Sequence, residues 1–280
     1  MAVFDAVSPF FRFLEGKLGL ERFATSVPLA VSDSYKGLTM RANRIPALTF
    51  MVMLALITGA CAGDGEAESA NSRPVKKVSM KAEWKVEAEY PDFDFPNIDN
   101  HIKAWLTAHI HSLMDNYKDV ADADDPETSL TVNITYCIAT DSPEVVGLLF
   151  LTVMDLNLAA HPTASYSSLN FSANGEFLSL DSLFADPDRA LEIFAEQAPK
   201  LLPAAFPDRE DELEGLDDWI ATGTAPNLDN YSCYIVEPDG LRIHFQQYQV
   251  VPYYLGMPDV LIPLSALEPA GPNAEVWPAR

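Results

Sequence analysis

Cys61 has the most specific chemical context in this chain, because it directly follows the three small residues T-G-A. An apolar stretch, 45–57, lies before those residues, and Arg41 and Arg44 precede that stretch. A basic start, a short apolar core and a small-residue cleavage site are the three parts of a secretory signal. A cysteine immediately after the cut is the residue that lipoprotein processing acylates. The sequence therefore predicts a lipoprotein signal peptide over 40–60 and lipidation of Cys61.

The same segment has an alternative interpretation as one membrane-spanning helix. From Ile45 to Ala60 it contains only 16 residues, whereas a spanning helix needs about 20 apolar residues. It also includes Pro46, and an acidic, glycine-containing sequence follows at once. These features favour the signal peptide. Residues 1–39 contain no motif and are predicted to be a non-translated or disordered extension.

The predicted place of action is the cell envelope, outside the cytoplasmic membrane. Residues 61–75 are polar and are predicted to form a flexible tether. No later stretch has the apolar length of a spanning helix, so the lipid is the expected membrane attachment. Ala62 stands where an aspartate typically retains lipoproteins in the inner membrane. In a host with two membranes, we therefore expect the outer membrane, with the domain facing the periplasm.

Two cysteines remain after Cys61, and export would place them in an oxidising compartment. Cys137 and Cys233 are accordingly predicted to form a disulfide. Such a bond would close a loop of about 97 residues, for which chain entropy gives roughly 4–5 kcal/mol of stabilisation. The alternative is that both are reduced cysteines in strands.

Few other residues have a context that suggests chemistry. His161, followed by Pro162, lies in a predicted loop between strands, where binding residues are common. The alternative is a structural histidine that bonds the adjacent backbone. Tyr253 and Tyr254 offer aromatic rings to a sugar or a protein, or else pack in the core. We take His161, Pro162, Tyr253 and Tyr254 as candidate binding residues.

The sequence shows no pattern typical of catalytic or metal-binding residues. His109 and His111 are two positions apart on a predicted helix, about 200° around its axis, and cannot share a metal ion. No G-x-S-x-G, H-E-x-x-H or P-loop motif is present. We predict no catalytic residues, no metal and no cofactor. The abundant carboxylates are interpreted as solvated surface, with a glycosidase-like pair as the catalytic alternative.

The charge balance limits the partners. The chain has 41 acidic and 18 basic residues, for a formal net charge of −23. Binding of phosphates requires a basic surface, so nucleic acid is excluded as a partner. A negative surface attracts basic molecules, or it serves solubility alone. The expected partner is a basic extracytoplasmic protein or peptidoglycan.

The elements that position these residues follow from the hydrophobic periodicity. A helical stripe predicts helices over 97–117 and from the capping residue Asp186 to Leu202. Asn174-Gly175 favours a tight hairpin turn. Alternating or continuously apolar residues predict strands over 78–90, 130–138, 145–158, 165–171, 176–180, 231–236, 241–247 and 260–264.

Runs of strands separated by single helices indicate an α+β fold with mainly antiparallel sheet. Two principal helices are expected to pack on the sheet. The chain is predicted to contain an N-terminal α+β lobe over 76–160, a second lobe over 161–268 and a tail over 269–280. A single domain is the alternative to two lobes.

Two segments, 160–184 and 230–267, resemble a known family. Together they are similar to the extracellular domain of RsiV-type anti-sigma factors, which also occurs beside peptidoglycan deacetylase domains. The resemblance implies an α+β fold and a binding role in the cell envelope; in the anti-sigma factors the domain senses lysozyme. The residues that carry it are Ala160-His161-Pro162, Asn174-Gly175 with Leu180 and Phe184, the sequence YQVVPY that begins at Tyr248, Gly256, and Ile262-Pro263.

The sequence departs from the anti-sigma factors in two respects. No sigma-binding domain is recognisable, and residues 158–160 are Leu-Ala-Ala where a glycine pair commonly precedes the Ala-His-Pro cue. Regulation of a sigma factor is therefore not expected. The first hypothesis is a lipid-anchored envelope protein that binds a basic protein such as a lysozyme. The alternatives are a peptidoglycan-modifying enzyme or its accessory module, and a structural envelope lipoprotein.

Overall fold

The computed structural model describes residues 74–81, 85–117, 129–157 and 159–278. These residues lie within the compact unit Cys61–Arg280. The predicted extension 1–39, the predicted signal peptide and the lipidation site Cys61 lie outside the described residues. Within the described ranges, no helix combines the length and the apolar character that a membrane crossing requires.

The first sheet has five strands in sequence order, β1 to β5. Neighbouring strands are antiparallel except for β2 and β3, which are parallel and are connected through helix α1. A parallel pair needs such a crossover, because a tight turn can join only antiparallel strands. The elements are β1 (Val75–Lys81), β2 (Lys85–Pro91), α1 (Pro96–Tyr117), β3 (Leu130–Asp141), β4 (Val145–Leu156) and β5 (Thr163–Ser172).

The single strand predicted over 78–90 is instead the β1–β2 hairpin. Val78 pairs with Ala88 in this hairpin, so even-numbered residues of one strand face even-numbered residues of the other. Val86 and Ala88 are buried. The alternation of apolar residues therefore continues across the turn on the same face of the sheet. Periodicity alone does not distinguish this hairpin from one long strand.

Helix α1 covers one face of the first sheet, as its predicted stripe indicated. Ile102 and Leu106 are buried in one cluster with Phe150 of β4. Their spacing of four residues places them on the same side of the helix. The start of α1 is fixed by Asp99, whose carboxylate accepts hydrogen bonds from the backbone N–H groups of Phe93 and Phe95, at 2.8 and 3.0 Å.

The second sheet has three antiparallel strands and its own core. Helix α3 packs with this sheet, and its N-cap is Asp186, whose carboxylate accepts the Arg189 N–H at 3.0 Å. The predicted α+β fold, with mainly antiparallel sheets and two principal helices, is confirmed. The elements are β6 (Tyr234–Glu237), β7 (Gly240–His244), β8 (Asp259–Pro263), α2 (Leu180–Leu183), α3 (Pro187–Leu201), α4 (Asp217–Gly223) and α5 (Leu264–Leu267).

Side-chain hydrogen bonds join the two sheets where β6 crosses the first sheet. The Asn170 side chain on β5 donates to the Tyr234 carbonyl at 2.8 Å and accepts from the Val236 N–H at 3.0 Å. Gly147 on β4 allows this approach, because a Cβ there would lie 3.1 Å from a methyl carbon of Ile235. The boundary predicted between the two lobes, after residue 160, falls between β4 and β5. These two strands pair along their length in the first sheet.

Two predicted segments differ in the structure. The strand expected over 176–180 is reduced to one bridge between Phe171 and Phe177, and α2 begins at Leu180. The segment predicted as a tail over 269–280 is packed through residue 278. Its apolar side chains Val276 and Trp277 are buried against the second core, since burial of a large ring is more favourable than leaving it in water.

Candidate functional site

Two of the candidate loops meet in the structure. His161 lies just before β5, and Tyr253 begins a 3₁₀ turn, Tyr253–Leu255, between β7 and β8. Their rings stack with 4.1 Å between centroids and an interplanar angle of 24°. Tyr248 joins them, with its hydroxyl oxygen 3.2 Å from Nε2 of His161 and its ring centroid 5.9 Å from that of Tyr253. We call His161, Tyr248 and Tyr253 the aromatic cluster.

Hydrogen bonds at both ring nitrogens orient His161. Nδ1 lies 3.0 Å from the carbonyl oxygen of Pro162, and a carbonyl can only accept, so Nδ1 carries the hydrogen. In the neutral ring, Nε2 then accepts the hydroxyl hydrogen of Tyr248. Partial burial raises the pKa of Tyr248, with a smaller contribution from Tyr253, so this hydroxyl stays protonated. His161 therefore bonds the adjacent backbone, as one alternative predicted, and also belongs to the cluster.

The backbone of Tyr248 is held in an unusual conformation. Its φ is 64°, a left-handed value that costs a residue other than glycine on the order of 1–3 kcal/mol. The Trp219 indole N–H donates to the Tyr248 carbonyl at 2.8 Å. The Gln249 side-chain amide donates to the carbonyls of Gly223 and Asn230, both at 2.9 Å. Strained residues held by several contacts are frequent at binding sites.

The same loop is attached to the edge of the first sheet. The Gln246 side chain accepts the Tyr166 N–H at 2.8 Å and donates to the Tyr166 carbonyl at 2.9 Å. Its amide thus satisfies backbone groups of the edge strand β5, as a neighbouring strand would. Gln249 in turn accepts the Gln246 N–H at 2.9 Å. These bonds place the aromatic cluster on a rigid support.

Tyr254 extends the aromatic surface to solvent, and the residue is 61% exposed. The guanidinium carbon of Arg209 lies 5.9 Å from its ring centroid, within the range of a cation–π contact. Glu212 binds Arg209 through two hydrogen bonds of 2.7 and 3.0 Å. Residues 208–218 contain seven acidic residues and one basic residue, Arg209. We call this segment the acidic rim, because it borders the exposed ring of Tyr254.

Two other histidines occupy packed positions. His109 Nε2 lies 3.0 Å from the hydroxyl of Thr152, and burial lowers the pKa of this histidine to about 4. His101 stacks on Phe177 with 4.7 Å between ring centroids. Across the described residues, no three His, Cys, Asp or Glu side chains are grouped closely enough to hold a metal ion. The arrangement at the aromatic cluster is suited to binding through ring faces and hydrogen bonds.

The predicted disulfide between Cys137 and Cys233 is not formed, because Cys233 is a free, buried cysteine. Cys137 lies in β3 of the first sheet, opposite Leu149, whereas Cys233 immediately precedes β6 of the second sheet. The prediction was wrong because the alternating pattern of each strand does not reveal which sheet the strand joins. The sequence therefore contained no sign that the two cysteines belong to different sheets. Burial raises the pKa of the Cys233 thiol to about 12, against a smaller opposite effect of the Ser168 hydrogen bond. The thiol is therefore unreactive at neutral pH.

The structure brings His161 and Tyr253 together and leaves Tyr254 exposed beside them. Pro162 contributes its carbonyl to this arrangement. Tyr248 and Trp219 were not predicted as site residues. Tyr248 lay in the segment that carried the family resemblance, which was an available signal. Nothing in the local sequence distinguishes Trp219, because its role depends on a hydrogen bond to a distant loop.

One curated protein is similar to about two thirds of this chain. The chain is 24% identical over 182 residues to the peptidoglycan-N-acetylmuramic acid deacetylase PdaC of Bacillus subtilis (strain 168). The alignment includes 64% of this chain and 37% of PdaC. The chain therefore spans little more than a third of the length of that relative.

Two solved structures and one family model are also similar to parts of this chain. A DUF3298 family protein from Pseudomonas aeruginosa PAO1 superposes with a TM-score of 0.54 and 14% identity over 75% of this chain and 99% of the other, so the fold is shared. A DUF3298 member from Bacteroides fragilis NCTC 9343 gives a TM-score of 0.45 and 15% identity over 75% and 98%. Residues 181–265, which include Tyr248, Tyr253 and Tyr254, match the family described as protein of unknown function (DUF3298).

Proposed function

We propose that this chain is a cell-envelope binding protein whose α+β domain recognises a basic extracytoplasmic partner. The observation that carries the proposal is the aromatic cluster, extended by the exposed ring of Tyr254 and bordered by the acidic rim. Aromatic side chains on a rigid support are typical anchors of binding sites. The surrounding carboxylates favour association with positively charged molecules.

Two similarities support an envelope role. PdaC is described as acting on peptidoglycan, a cell-wall polymer, and the chain aligns with part of it. The resemblance to the RsiV-type extracellular domain, which senses lysozyme, favours a basic protein such as a lysozyme as the partner. Lipidation of Cys61 would hold the domain at a membrane surface on the extracytoplasmic side.

A titration with lysozyme tests the partner. Calorimetry with the purified protein is expected to give saturable binding to hen egg-white lysozyme that weakens as salt rises, because salt screens exposed charges. Cytochrome c, another small basic protein, serves as the control. Equal affinity for both proteins would mean that only the net charge is recognised, and it would remove lysozyme as the partner.

The variant Tyr254→Ala tests the site. Tyr254 is 61% exposed, so its truncation should leave the fold intact and weaken binding about tenfold, which corresponds to about 1.4 kcal/mol. Leu228→Ala is the matched control, because Leu228 is 55% exposed and lies outside the aromatic cluster. Comparable losses in the two variants would show that the Tyr254 ring, which extends the aromatic cluster, is not part of the interface.

A second candidate function is an accessory module of a peptidoglycan-modifying enzyme. It is favoured by the alignment with only 37% of PdaC, which makes this chain similar to one part of a larger enzyme. Cosedimentation with purified peptidoglycan tests it, with acetate release as the readout for deacetylation. Cosedimentation that Tyr254→Ala abolishes, without acetate release, would favour the accessory module. Binding to neither ligand would favour a structural envelope lipoprotein.

A further inference from the structure

A cavity of about 420 Å³ lies apart from the aromatic cluster and shares no residue with it. Its lining combines the β3–β4 turn, the β6–β7 turn around Pro238, and helix α5 with the C-terminal segment around Trp277. The volume falls within the roughly 300–1,000 Å³ of small-molecule sites. The packed C-terminal segment, predicted as a tail, is therefore part of the cavity wall.

The walls of this cavity are largely apolar and fixed. The indole N–H of Trp277 donates to the Glu237 carbonyl at 2.8 Å. The centroid of the Trp277 ring lies 5.8 Å from that of Phe184. Pro238 and Pro272 also line the cavity, and their rings restrict the backbone. The cavity is thus formed before any ligand arrives.

Several polar groups in the lining already have partners. The Thr140 hydroxyl donates to the Val236 carbonyl at 2.7 Å. Ser142 accepts the N–H groups of Glu144 and Val145, at 3.2 and 3.0 Å. The Glu237 carboxylate is bound by Arg242 through bonds of 2.5 and 3.1 Å. These groups stabilise the fold of the lining.

The charge of the lining is negative. Because Arg242 compensates the charge of Glu237, this negative charge comes from the carboxylates of Glu144, Asp239 and Glu268, which belong to three separate parts of the chain. Among the described residues that form the lining, none is Lys, Arg or His. A cation would therefore be favoured in this cavity over a neutral or anionic molecule.

We infer that this cavity binds a primary alkylammonium ion, with the ammonium group near Glu144 and Glu268 and the alkyl chain against the apolar walls. Carboxylates accept strong, charge-assisted hydrogen bonds from an ammonium group. The Trp277 ring and the prolines would cover the methylene groups, and an aromatic face also attracts a cation.

A metal ion fits this cavity less well than an organic cation. Calcium requires six to eight oxygen ligands around one point. The described part of the chain contains no group of three acidic, histidine or cysteine side chains that could surround a single ion. Carboxylates that are spread around an apolar cavity suit a longer ligand. The same chemistry is present in a free diamine and in a lysine side chain of a peptide.

Calorimetry with the full chain and small amines tests the inference. The probes are 1,5-diaminopentane, pentylamine and the tripeptide Gly-Lys-Gly, with 1-pentanol as the uncharged probe of similar length. We expect at least one amine to bind and 1-pentanol not to bind. Preference for the diamine would identify a free diamine, and preference for the tripeptide would identify a lysine side chain; both results support the site.

The double variant Glu144→Gln/Glu268→Gln locates the binding. Both side chains are at least partly exposed, so the amides should preserve the fold while amine affinity falls about tenfold or more. Glu176→Gln is the matched control, because Glu176 is exposed and lies outside the lining. The inference is overturned if 1-pentanol binds as well as the amines, if no amine binds, or if the control loses as much affinity as the double variant. Tyr254→Ala should retain amine binding, which separates this site from the proposed function.

Discussion

His244 is a buried histidine whose two ring nitrogens have no hydrogen-bond partner among the described residues. Its ring packs edge-on against Tyr166, with 5.5 Å between centroids. Burial lowers its pKa to about 4; the Arg242 charge adds to this effect, and the Asp259 charge opposes it. The neutral form is therefore the one that the folded protein accommodates.

This burial predicts a loss of stability in acid. The pKa of His244 in the folded protein, about 4, is below the ordinary 6.5, so the unfolded chain binds the proton more readily. The contribution of neutral His244 to the free energy of unfolding is fully present above pH 6.5. It decreases by up to about 3 kcal/mol as the pH falls toward 4. Urea unfolding at pH 7.5 and 4.5 measures this loss of stability. In the His244→Phe variant the loss between the two pH values should be smaller by about 2 kcal/mol.

The control for this prediction is His111→Asn, which changes an exposed histidine. It should leave the difference in unfolding free energy between the two pH values close to that of the unmodified chain. A His244→Phe variant that loses as much stability in acid as the unmodified chain would assign the pH dependence to other groups, such as the partly buried His109.

At the residue scale, the sequence predicted the loop positions of the candidate residues better than the contacts between them. His161 is a candidate because loops often carry binding residues, and Tyr253 because aromatic rings are common anchors. Their stacking was not predictable, since it depends on how the β7–β8 loop reaches the edge of β5. The positive φ of Tyr248 was also not predictable, because tyrosine has no preference for that conformation.

At the element scale, Asn170 connects strands of different sheets. Its side chain makes two hydrogen bonds to the β6 backbone, and it is 1% exposed. Asn170→Ala would leave the Tyr234 carbonyl and the Val236 N–H buried without this partner, at a cost of about 3 kcal/mol in unfolding free energy. Chemical denaturation measures this loss.

The same substitution at Asn174 provides the control, because Asn174 lies exposed in the turn after β5. Asn174→Ala should change the unfolding free energy by about 0.5 kcal/mol or less. If the two alanine variants were equally stable, the Asn170 hydrogen bonds would not contribute to the junction of the sheets.

Periodicity predicted most elements correctly and their pairing less well. The stripe of α1 and the cap of α3 were sufficient to predict these helices, because both are local features. The β1–β2 hairpin was missed, since its register preserves the alternation of a single strand. The packing of β6 across the first sheet was also not predicted. Asn170 and Gly147 make this contact, but neither residue differs from an ordinary strand residue in its local sequence.

At the scale of the whole molecule, the proposed lipid anchor depends on Cys61. Cys61→Ser removes the thiol that would be acylated, so the protein should move from the detergent phase to the aqueous phase in Triton X-114 extraction of cells. Cys233→Ser should remain in the detergent phase, because Cys233 is buried in the domain. Mass spectrometry of the natural protein checks the modification, and an unacylated Cys61 would contradict the anchor.

The close approach at Gly147 has a consequence for how the protein responds to a partner. Gly147 lets β4 approach Ile235 closely, and Asn170 is bonded across the junction, so the two sheets are held together at this point. The aromatic cluster combines His161, from the loop before β5, with Tyr253, from the loop between β7 and β8, so its shape depends on this junction. Recognition would therefore proceed by complementarity of preset surfaces, without a hinge motion, and heating would melt both halves in one cooperative step.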